Sequence, residues 1–296
     1  MRRLVPAAAV LLTVVGACAT PPPAVPGAAH PDENMPEMVH DGPGHGGSGH
    51  GHEDTSTGSG LTDVQEGFRL IDVRGPAVPG SVGVLSFRIL DPSGAPQTRF
   101  EIEQTQLMHV YVVRADLTDF HHVHPTMTPD GRWSAPLTVA SAGPYRVVTE
   151  FGAVTDRRTV RPFVLGTDLL VPGPYRPEPL PAPAPEVTVD GYTVKIDGDA
   201  LAGQTSPLTL RFTRVGVPAT DLQPYLGTYA HLTAFHPGNL EVVHVHPSGA
   251  APSPGTPGGP ALTVDAEFPA PGLYRTYIQF QTDDIVRSAP ITIAVR

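Results

Sequence analysis

The chain has 296 residues, including 36 Pro and 31 Gly, and a formal net charge of −10. This acidic balance argues against nucleic acid or an anionic lipid surface as the main partner, because both repel a negative protein. Cys18 is the single cysteine, which excludes an intramolecular disulfide.

The first 17 residues are typical of an export signal. Arg2 and Arg3 give a positive start, and residues 4–15 form an apolar run that is too short for a membrane-spanning helix. Val15-Gly16-Ala17-Cys18 follows, and this order of apolar run, small residues and cysteine resembles the lipobox of bacterial lipoproteins. The resemblance implies cleavage before Cys18, lipidation of Cys18, and a protein anchored by lipid to the outside of the cell membrane.

Residues 18–60 lack a hydrophobic period and are rich in Pro, Gly, Ser and acidic residues, which predicts a disordered tether. Imidazole and thioether ligands suit copper, and imidazole alone suits zinc. We expect weak, multi-site metal capture by the histidines and methionines of this tether, although a polar tether that merely contains histidine is the alternative. The residues concerned are His30, Met35, Met38, His40, His45, His50 and His52.

Residues 61–166 are predicted to form the first folded domain. Short apolar segments alternate with turn signals, and no segment has a helical period. Seven short strands separated by frequent turns indicate a β-sandwich. The predicted strands are residues 67–73, 82–90, 108–114, 119–124, 133–139, 145–151 and 159–165.

Residues 167–185 form a Pro-rich linker, and residues 186–296 repeat the plan of the first domain. Half of residues 172–185 are proline, which predicts a semi-rigid polyproline II spacer of up to roughly 40 Å. Gly143-Pro144-Tyr145 and Gly272-Leu273-Tyr274 occupy corresponding places and resemble the tyrosine corner of immunoglobulin-like sandwiches. The predicted fold is therefore all-β, with two tandem immunoglobulin-like β-sandwiches.

Each domain contains three histidines at the same spacing. Pairing the first histidine with the second in a hairpin places the turns at Ala115-Asp116 and Pro237-Gly238, and Pro-Gly is a strong turn dipeptide. Residues i and i+2 of a strand share a face, so each triad should project from one face and cradle one metal ion. The two triads are His109, His122 and His124, and His231, His244 and His246.

The environment of His109 leaves a second interpretation open. Tyr111 and Val113 share its face of an apolar strand, so this face is a candidate for the core side of the sheet, with histidines that only stabilise loops. Glu150 and Gln279 occupy corresponding positions, which makes them candidates to accept hydrogen bonds from ligand histidines.

The run from Met108 to Pro125, with His109, His122 and His124, resembles bacterial secreted immunoglobulin-like domains found among extracytoplasmic copper-handling proteins. The resemblance implies a β-sandwich and copper handling. No serine has a nucleophile motif and no glycine loop suits phosphate, so we expect a non-enzymatic protein.

The sequence therefore predicts a membrane-anchored lipoprotein that binds or relays a transition metal, with copper first and zinc second. Its expected partners are the membrane, through the N-terminal lipid, and a metal-transfer or other envelope protein. The alternative is a non-enzymatic structural or interaction module of the cell envelope.

Overall fold

The computed structural model describes residues 58–155, 158–245, 247–249, 251–253 and 255–296. Every regular element in these residues is a β-strand, and they include no helix able to cross a membrane. The predicted signal peptide, Cys18 and the tether residues predicted to capture metal lie outside the described residues. The all-β prediction is confirmed.

Within the described residues, the first sandwich contains ten strands. They are β1 (Val64–Gln65), β2 (Phe68–Arg74), β3 (Gly83–Leu90), β4 (Phe100–Glu101), β5 (His109–Arg114), β6 (Phe120–Val123), β7 (Thr126–Met127), β8 (Arg132–Leu137), β9 (Gly143–Val154) and β10 (Val160–Val171). One sheet has the order β1-β2-β3-β8-β7, and the other has the order β10-β9-β5-β6 with β4 paired to β9. This arrangement is an immunoglobulin-like sandwich.

The second sandwich repeats this arrangement. Its strands in the described residues are β11 (Glu186–Val189), β12 (Tyr192–Asp197), β13 (Thr205–Arg214), β14 (Val217–Pro218), β15 (Ala230–Phe235), β16 (Val242–Val245), β17 (Ala261–Glu267), β18 (Gly272–Thr282) and β19 (Ile285–Val295). One sheet contains β11, β12, β13, β14 and β17, and the other has the order β16-β15-β18-β19. The predicted pair of tandem sandwiches is confirmed.

Alternating side chains build the core of each sandwich. In β3, Leu85, Phe87 and Ile89 are fully buried while the residues between them are not, as expected for a strand with one face toward the core. Trp133 of β8 stacks on Phe87 with ring centroids 6.3 Å apart. In the second sandwich, Leu208, Leu210 and Phe212 of β13 form the equivalent buried series.

Both predicted tyrosine corners are present. The hydroxyl of Tyr145 donates a hydrogen bond to the carbonyl of Ser141 at 2.7 Å, and that of Tyr274 donates to the carbonyl of Ala270 at 3.1 Å. Each bond reaches back four residues and fixes the entry to β9 or β18. The same corner thus occurs at the corresponding strand of both domains.

The hairpins that carry the histidines have a register two residues away from the predicted one. Tyr111, not His109, lies opposite His122, and Thr233, not His231, lies opposite His244. Each loop is four residues long. In the first hairpin, the amide of Arg114 donates to the carbonyl of Asp119 and closes the loop. A shift of two residues keeps every side chain on its face, so the histidines still share one side of the sheet.

The face of His109 is not the core side of its sheet. Val110 and Val112 point into the core of the first sandwich, whereas Tyr111 and Val113 belong to a third buried cluster that joins the two sandwiches. All six residues of β5 are consequently buried, as are all six of β15. The members of this interdomain cluster are Tyr111, Val113, Leu117, Val148, Val164, Phe235, Val242 and Tyr277, with Phe120, Leu180 and Leu240 packed against them.

Specific contacts join the histidine-bearing sheet of one sandwich to that of the other. The rings of Phe120 and Tyr277 stack with centroids 4.1 Å apart and planes 13° from parallel. The hydroxyl of Tyr277 donates to the carbonyl of Leu117 at 2.6 Å, and the amide of Val242 donates to the carbonyl of Ser59 at 3.0 Å. The sandwiches thus bury their histidine-bearing faces against each other.

The Pro-rich linker lies against the sandwiches and does not hold them apart, contrary to the spacer expected from its proline content. β10 continues to Val171, five residues into the segment predicted as linker. The guanidinium of Arg114 lies over the ring of Tyr175 at 4.8 Å, and the amide of Glu178 donates to Asp116 at 2.9 Å. Packing against these groups and against the interdomain cluster outweighs the stiffness of the proline-rich chain.

Candidate metal centre

Three imidazole rings of the first sandwich converge at the interdomain interface. His109 begins β5, His122 lies in β6, and His124 follows β6 directly. Nδ1 of His109 lies 3.1 Å from Nε2 of His122, and Nε2 of His124 lies 3.2 Å from each of these two nitrogens. Three nitrogens from three rings thus form a nearly equilateral triangle, named here the first triad.

The dimensions of the first triad fit a metal ion. Ligands about 2.0 Å from a tetrahedral zinc ion lie about 3.3 Å apart, close to the sides of this triangle. A square-planar ion, the geometry typical of Cu(II), requires unequal separations of about 2.8 and 4.0 Å at the same bond length. The triangle therefore suits a tetrahedral ion with a fourth position open.

Hydrogen bonds on the far side of two rings direct their lone pairs into the triangle. Nε2 of His109 lies 3.1 Å from the carbonyl of Glu103, and Nδ1 of His122 lies 2.8 Å from Oε1 of Gln279. Carbonyl oxygens only accept, so these ring nitrogens carry the protons. His109 and His122 consequently point unprotonated nitrogens at each other across 3.1 Å, an arrangement that a cation stabilises.

The electrostatic environment keeps His231 and the three histidines of the first triad neutral. Burial lowers the pKa of His109 and holds the pKa of His122 well below its ordinary value, and the neighbouring rings lower the latter further. Burial also lowers the pKa of His124 to about 4 and that of His231 to about 3. Neutral imidazole is the form that binds metal.

The second sandwich brings two further imidazoles to the same place. The ring centroids of His231 and His244 are 6.0 Å apart, and each lies 6.0 to 6.3 Å from the centroid of His122. His231 and His244 of the second predicted triad therefore lie beside the first triad. His246 lies outside the described residues, and within the described residues the first triad is the group of three that can hold an ion.

His231 is held in the same way as His109. Its Nε2 lies 3.0 Å from the carbonyl of Tyr225, six residues earlier, just as His109 bonds to the carbonyl of Glu103. Glu103 and Tyr225 each begin a two-residue turn whose central residues have positive φ, the geometry of a type I′ hairpin. The sequence prediction missed these turns. The signal available in the sequence was that Glu103 and Tyr225 each precede the histidine they contact by six residues.

His244 contacts the first sandwich directly. Its Nδ1 lies 2.7 Å from Oε2 of Glu150 and 2.7 Å from the hydroxyl of Tyr111, and that hydroxyl donates to the same carboxylate oxygen at 2.8 Å. Burial works to raise the pKa of Glu150, but attraction to the His244 ring and the hydrogen bonds from His244 and Tyr111 outweigh burial and lower it. An ionised carboxylate thus lies beside the first triad.

Two other histidines and one methionine of the two domains lie outside the triangle. Nε2 of His121 pairs with Asp119 at 2.9 Å, and Nδ1 of His236 accepts from the amide of Gly238 at 3.1 Å. Met127 packs against the core of the first sandwich. None of these three supplies an atom to the first triad.

Comparison with protein families assigns both sandwiches to one family. A family model described as "Domain of unknown function (DUF8832)" matches residues 64–168 and again residues 187–296. The chain belongs to the DUF8832 family. Its two matches correspond to the two sandwiches, so the repeated histidines lie at corresponding positions of two DUF8832 domains. No curated protein matches the sequence.

Solved structures resemble the tandem DUF8832 domains only distantly. The adhesin InvE of Yersinia pseudotuberculosis is 15% identical, with 76% of this chain and 57% of InvE covered and a TM-score of 0.21. Invasin, a bacterial integrin-binding protein, is 12% identical, with 77% and 38% covered and a TM-score of 0.21. Domains 4 and 5 of the S-layer protein SbsC are 12% identical, with 77% and 96% covered and a TM-score of 0.24. The chain thus spans little more than half of InvE and less than half of invasin.

The two DUF8832 domains differ at the positions around the histidines. Tyr111 lies opposite His122 in the first domain, where the second has Thr233 opposite His244. Glu150 lies opposite His109, where the second domain has Gln279 opposite His231. The first domain therefore contributes a phenol and a carboxylate to the shared site, and the second contributes a neutral amide.

Proposed function

We propose that the protein binds a transition-metal ion through His109, His122 and His124. The observation that supports this most directly is the triangle of ring nitrogens with sides of 3.1 to 3.2 Å. Its hydrogen bonds to Glu103 and Gln279 orient two of the three lone pairs inward. Glu150 adds a nearby negative charge that compensates the charge of a bound cation.

Copper and zinc are the two ions that suit this all-imidazole site. The equilateral triangle favours zinc, or copper as Cu(I), over Cu(II), because Cu(II) prefers a square-planar arrangement. The methionines of the tether, Met35 and Met38, support copper because thioethers accept Cu(I). The role is capture or relay of the ion and not catalysis.

The cellular setting of this role follows from the sequence. Val15-Gly16-Ala17-Cys18 supports export and a lipid anchor at Cys18. The histidine-containing tether would then capture ions weakly at the membrane surface and deliver them to the first triad. A metal-transfer or other envelope protein is the expected partner, and the acidic chain disfavours nucleic acid.

X-ray absorption at the metal edge tests the proposal. The full chain is prepared with the five histidines of the tether changed to alanine and Met35 and Met38 changed to leucine, a variant named here the tail-substituted chain. Loaded with one equivalent of Zn(II) or Cu(I), it should show three imidazole nitrogens at about 2.0 Å. Coordination by water and carboxylate oxygens alone would contradict it.

A structural role of the histidines is the competing function. It is favoured by the bonds from His109 and His231 to the carbonyls of Glu103 and Tyr225, which fix two turns. In that case His122→Ala and His244→Ala, made in the tail-substituted chain, would both lower the metal-free thermal stability strongly, and neither variant nor the parent chain would bind metal at stoichiometric concentrations.

A further inference from the structure

The two sandwiches exchange the hydrogen-bond partners of their histidines. His122 of the first sandwich donates from Nδ1 to Gln279 of the second at 2.8 Å. His244 of the second contacts Glu150 of the first at 2.7 Å. Because Glu150 and Gln279 occupy corresponding positions, the exchange is reciprocal and relates the domains by approximate two-fold symmetry.

The interdomain cluster holds this exchange in place. Phe235 and Val242 of the second sandwich pack with Tyr111 and Val113 of the first. Gln279 is 7% exposed, so its amide oxygen has little water to bond in place of His122. The position of Gln279 relative to His122 is consequently fixed by the packing of one sandwich on the other.

We infer that Gln279 is a positioning residue for the metal ligand His122, so that metal binding at the first triad and docking of the second sandwich are thermodynamically coupled. This inference rests on the proposed function. It assigns the second sandwich a regulatory part in metal capture: the first sandwich supplies the three ligands, and the second orients one of them.

The coupling follows from the tautomer of His122. With Gln279 in place, Nδ1 carries the proton and Nε2 keeps its lone pair toward His109 and His124. Without an acceptor at Nδ1, the ring is free to rotate or to move its proton to Nε2, which removes one ligand from the triangle. Loss of such a hydrogen-bond partner costs about 10 to 100-fold in metal affinity. By linkage, docking and metal binding strengthen each other by the same factor.

Three variants in the tail-substituted chain test the positioning role by competition titration with Zn(II). Gln279→Leu removes the acceptor, Gln279→Glu restores one, and Gln281→Leu is the matched control on the same strand. The expected result is a loss of about 10 to 100-fold for Gln279→Leu, recovery to at least wild-type affinity for Gln279→Glu, and no change for Gln281→Leu. Equal affinity of Gln279→Leu and the parent chain would overturn the inference and leave the proposed function intact.

Hydrogen exchange tests the coupling from the other direction. Zn(II) should slow exchange at the backbone amides of Phe235 and Tyr277, which lie in the interface but in a sandwich that supplies none of the first triad. Protection confined to residues 64–171 would overturn the inference. A parent chain that binds neither Zn(II) nor Cu(I) would instead contradict the proposed function itself, so the two failures are distinguishable.

Discussion

The ring of His244 in the second sandwich lies 2.7 Å from the carboxylate of Glu150 in the first. Tyr111 donates to the same oxygen, so a single carboxylate serves two donors from two domains. This contact and its counterpart between His122 and Gln279 make the interface between the sandwiches part of the candidate metal centre.

Replacing Glu150 by leucine should destabilise the protein strongly. The change leaves the Tyr111 hydroxyl and the His244 ring without their carboxylate acceptor, and each buried donor that loses its acceptor costs about 1–3 kcal/mol. We expect the free energy of unfolding to fall by about 2–5 kcal/mol in urea denaturation. The exposed Glu101→Gln on β4 is the control and should change it by less than about 0.5 kcal/mol. A loss for Glu150→Leu as small as that of the control would show that the network contributes nothing to stability.

The two tyrosine corners should differ in strength. Among the described residues, the Tyr274 hydroxyl bonds to the carbonyl of Ala270 alone, whereas that of Tyr145 bonds both to the carbonyl of Ser141 and to Asp119 at 2.7 Å. Tyr274→Phe should therefore cost about 0.5–1.5 kcal/mol, and Tyr145→Phe about 1.5–3 kcal/mol because a charged acceptor loses its donor. Thermal and urea unfolding of the two variants would measure this order, and a larger loss for Tyr274→Phe would contradict it.

Asp119 should make stability depend on acid pH. Burial opposes its ionisation, but hydrogen bonds from His121, Tyr145 and the amide of Ala140 outweigh burial and lower its pKa below the ordinary value of 3.8. A folded-state pKa below the unfolded one means that the unfolded chain binds more protons near pH 4, so stability falls as pH drops through the folded-state value.

The variant Asp119→Asn isolates this contribution. It should be less stable than the wild type at pH 7 by about 1–3 kcal/mol, and the difference should shrink between pH 4 and pH 2.5. Urea midpoints at both ends of this range would measure it. A difference that stays constant with pH would rule out the carboxylate as its source.

The sequence was sufficient to predict the fold and the histidine clusters but not how the domains meet. Seven predicted strands of the first sandwich are present as β2, β3, β5, β6, β8, β9 and β10. The two-residue strands β1, β4 and β7 were missed because two residues carry no hydrophobic period.

The predicted hairpin register was wrong because the turns contain backbone conformations that their residue types do not predict. Leu117 and Leu240 adopt positive φ of 61° and 60° in the four-residue loops, whereas non-glycine residues seldom do so. Pro237-Gly238 therefore lies within the second loop but is not its central pair of residues.

The contacts of Gln279 and Glu150 across the interface could not be predicted from the sequence, because they depend on how two separately folded domains dock. The available signal was the run of apolar residues on both faces of β5, all of which are buried in the structure. A strand that is apolar on both sides must bury two faces, and here the second face meets another domain.

Competition titration of Zn(II) into the tail-substituted chain, with His122→Ala compared against its neighbour His121→Ala, is the sharpest test of metal binding by the first triad. His122 supplies a corner of the triangle and His121 bonds to Asp119 outside it. The parent chain should have one site, His121→Ala should keep its affinity, and His122→Ala should lose more than the 100-fold that marks the upper end for loss of a ligand's hydrogen-bond partner. Equal affinity of the two variants would contradict a metal site at the first triad, as would a parent chain that binds neither Zn(II) nor Cu(I).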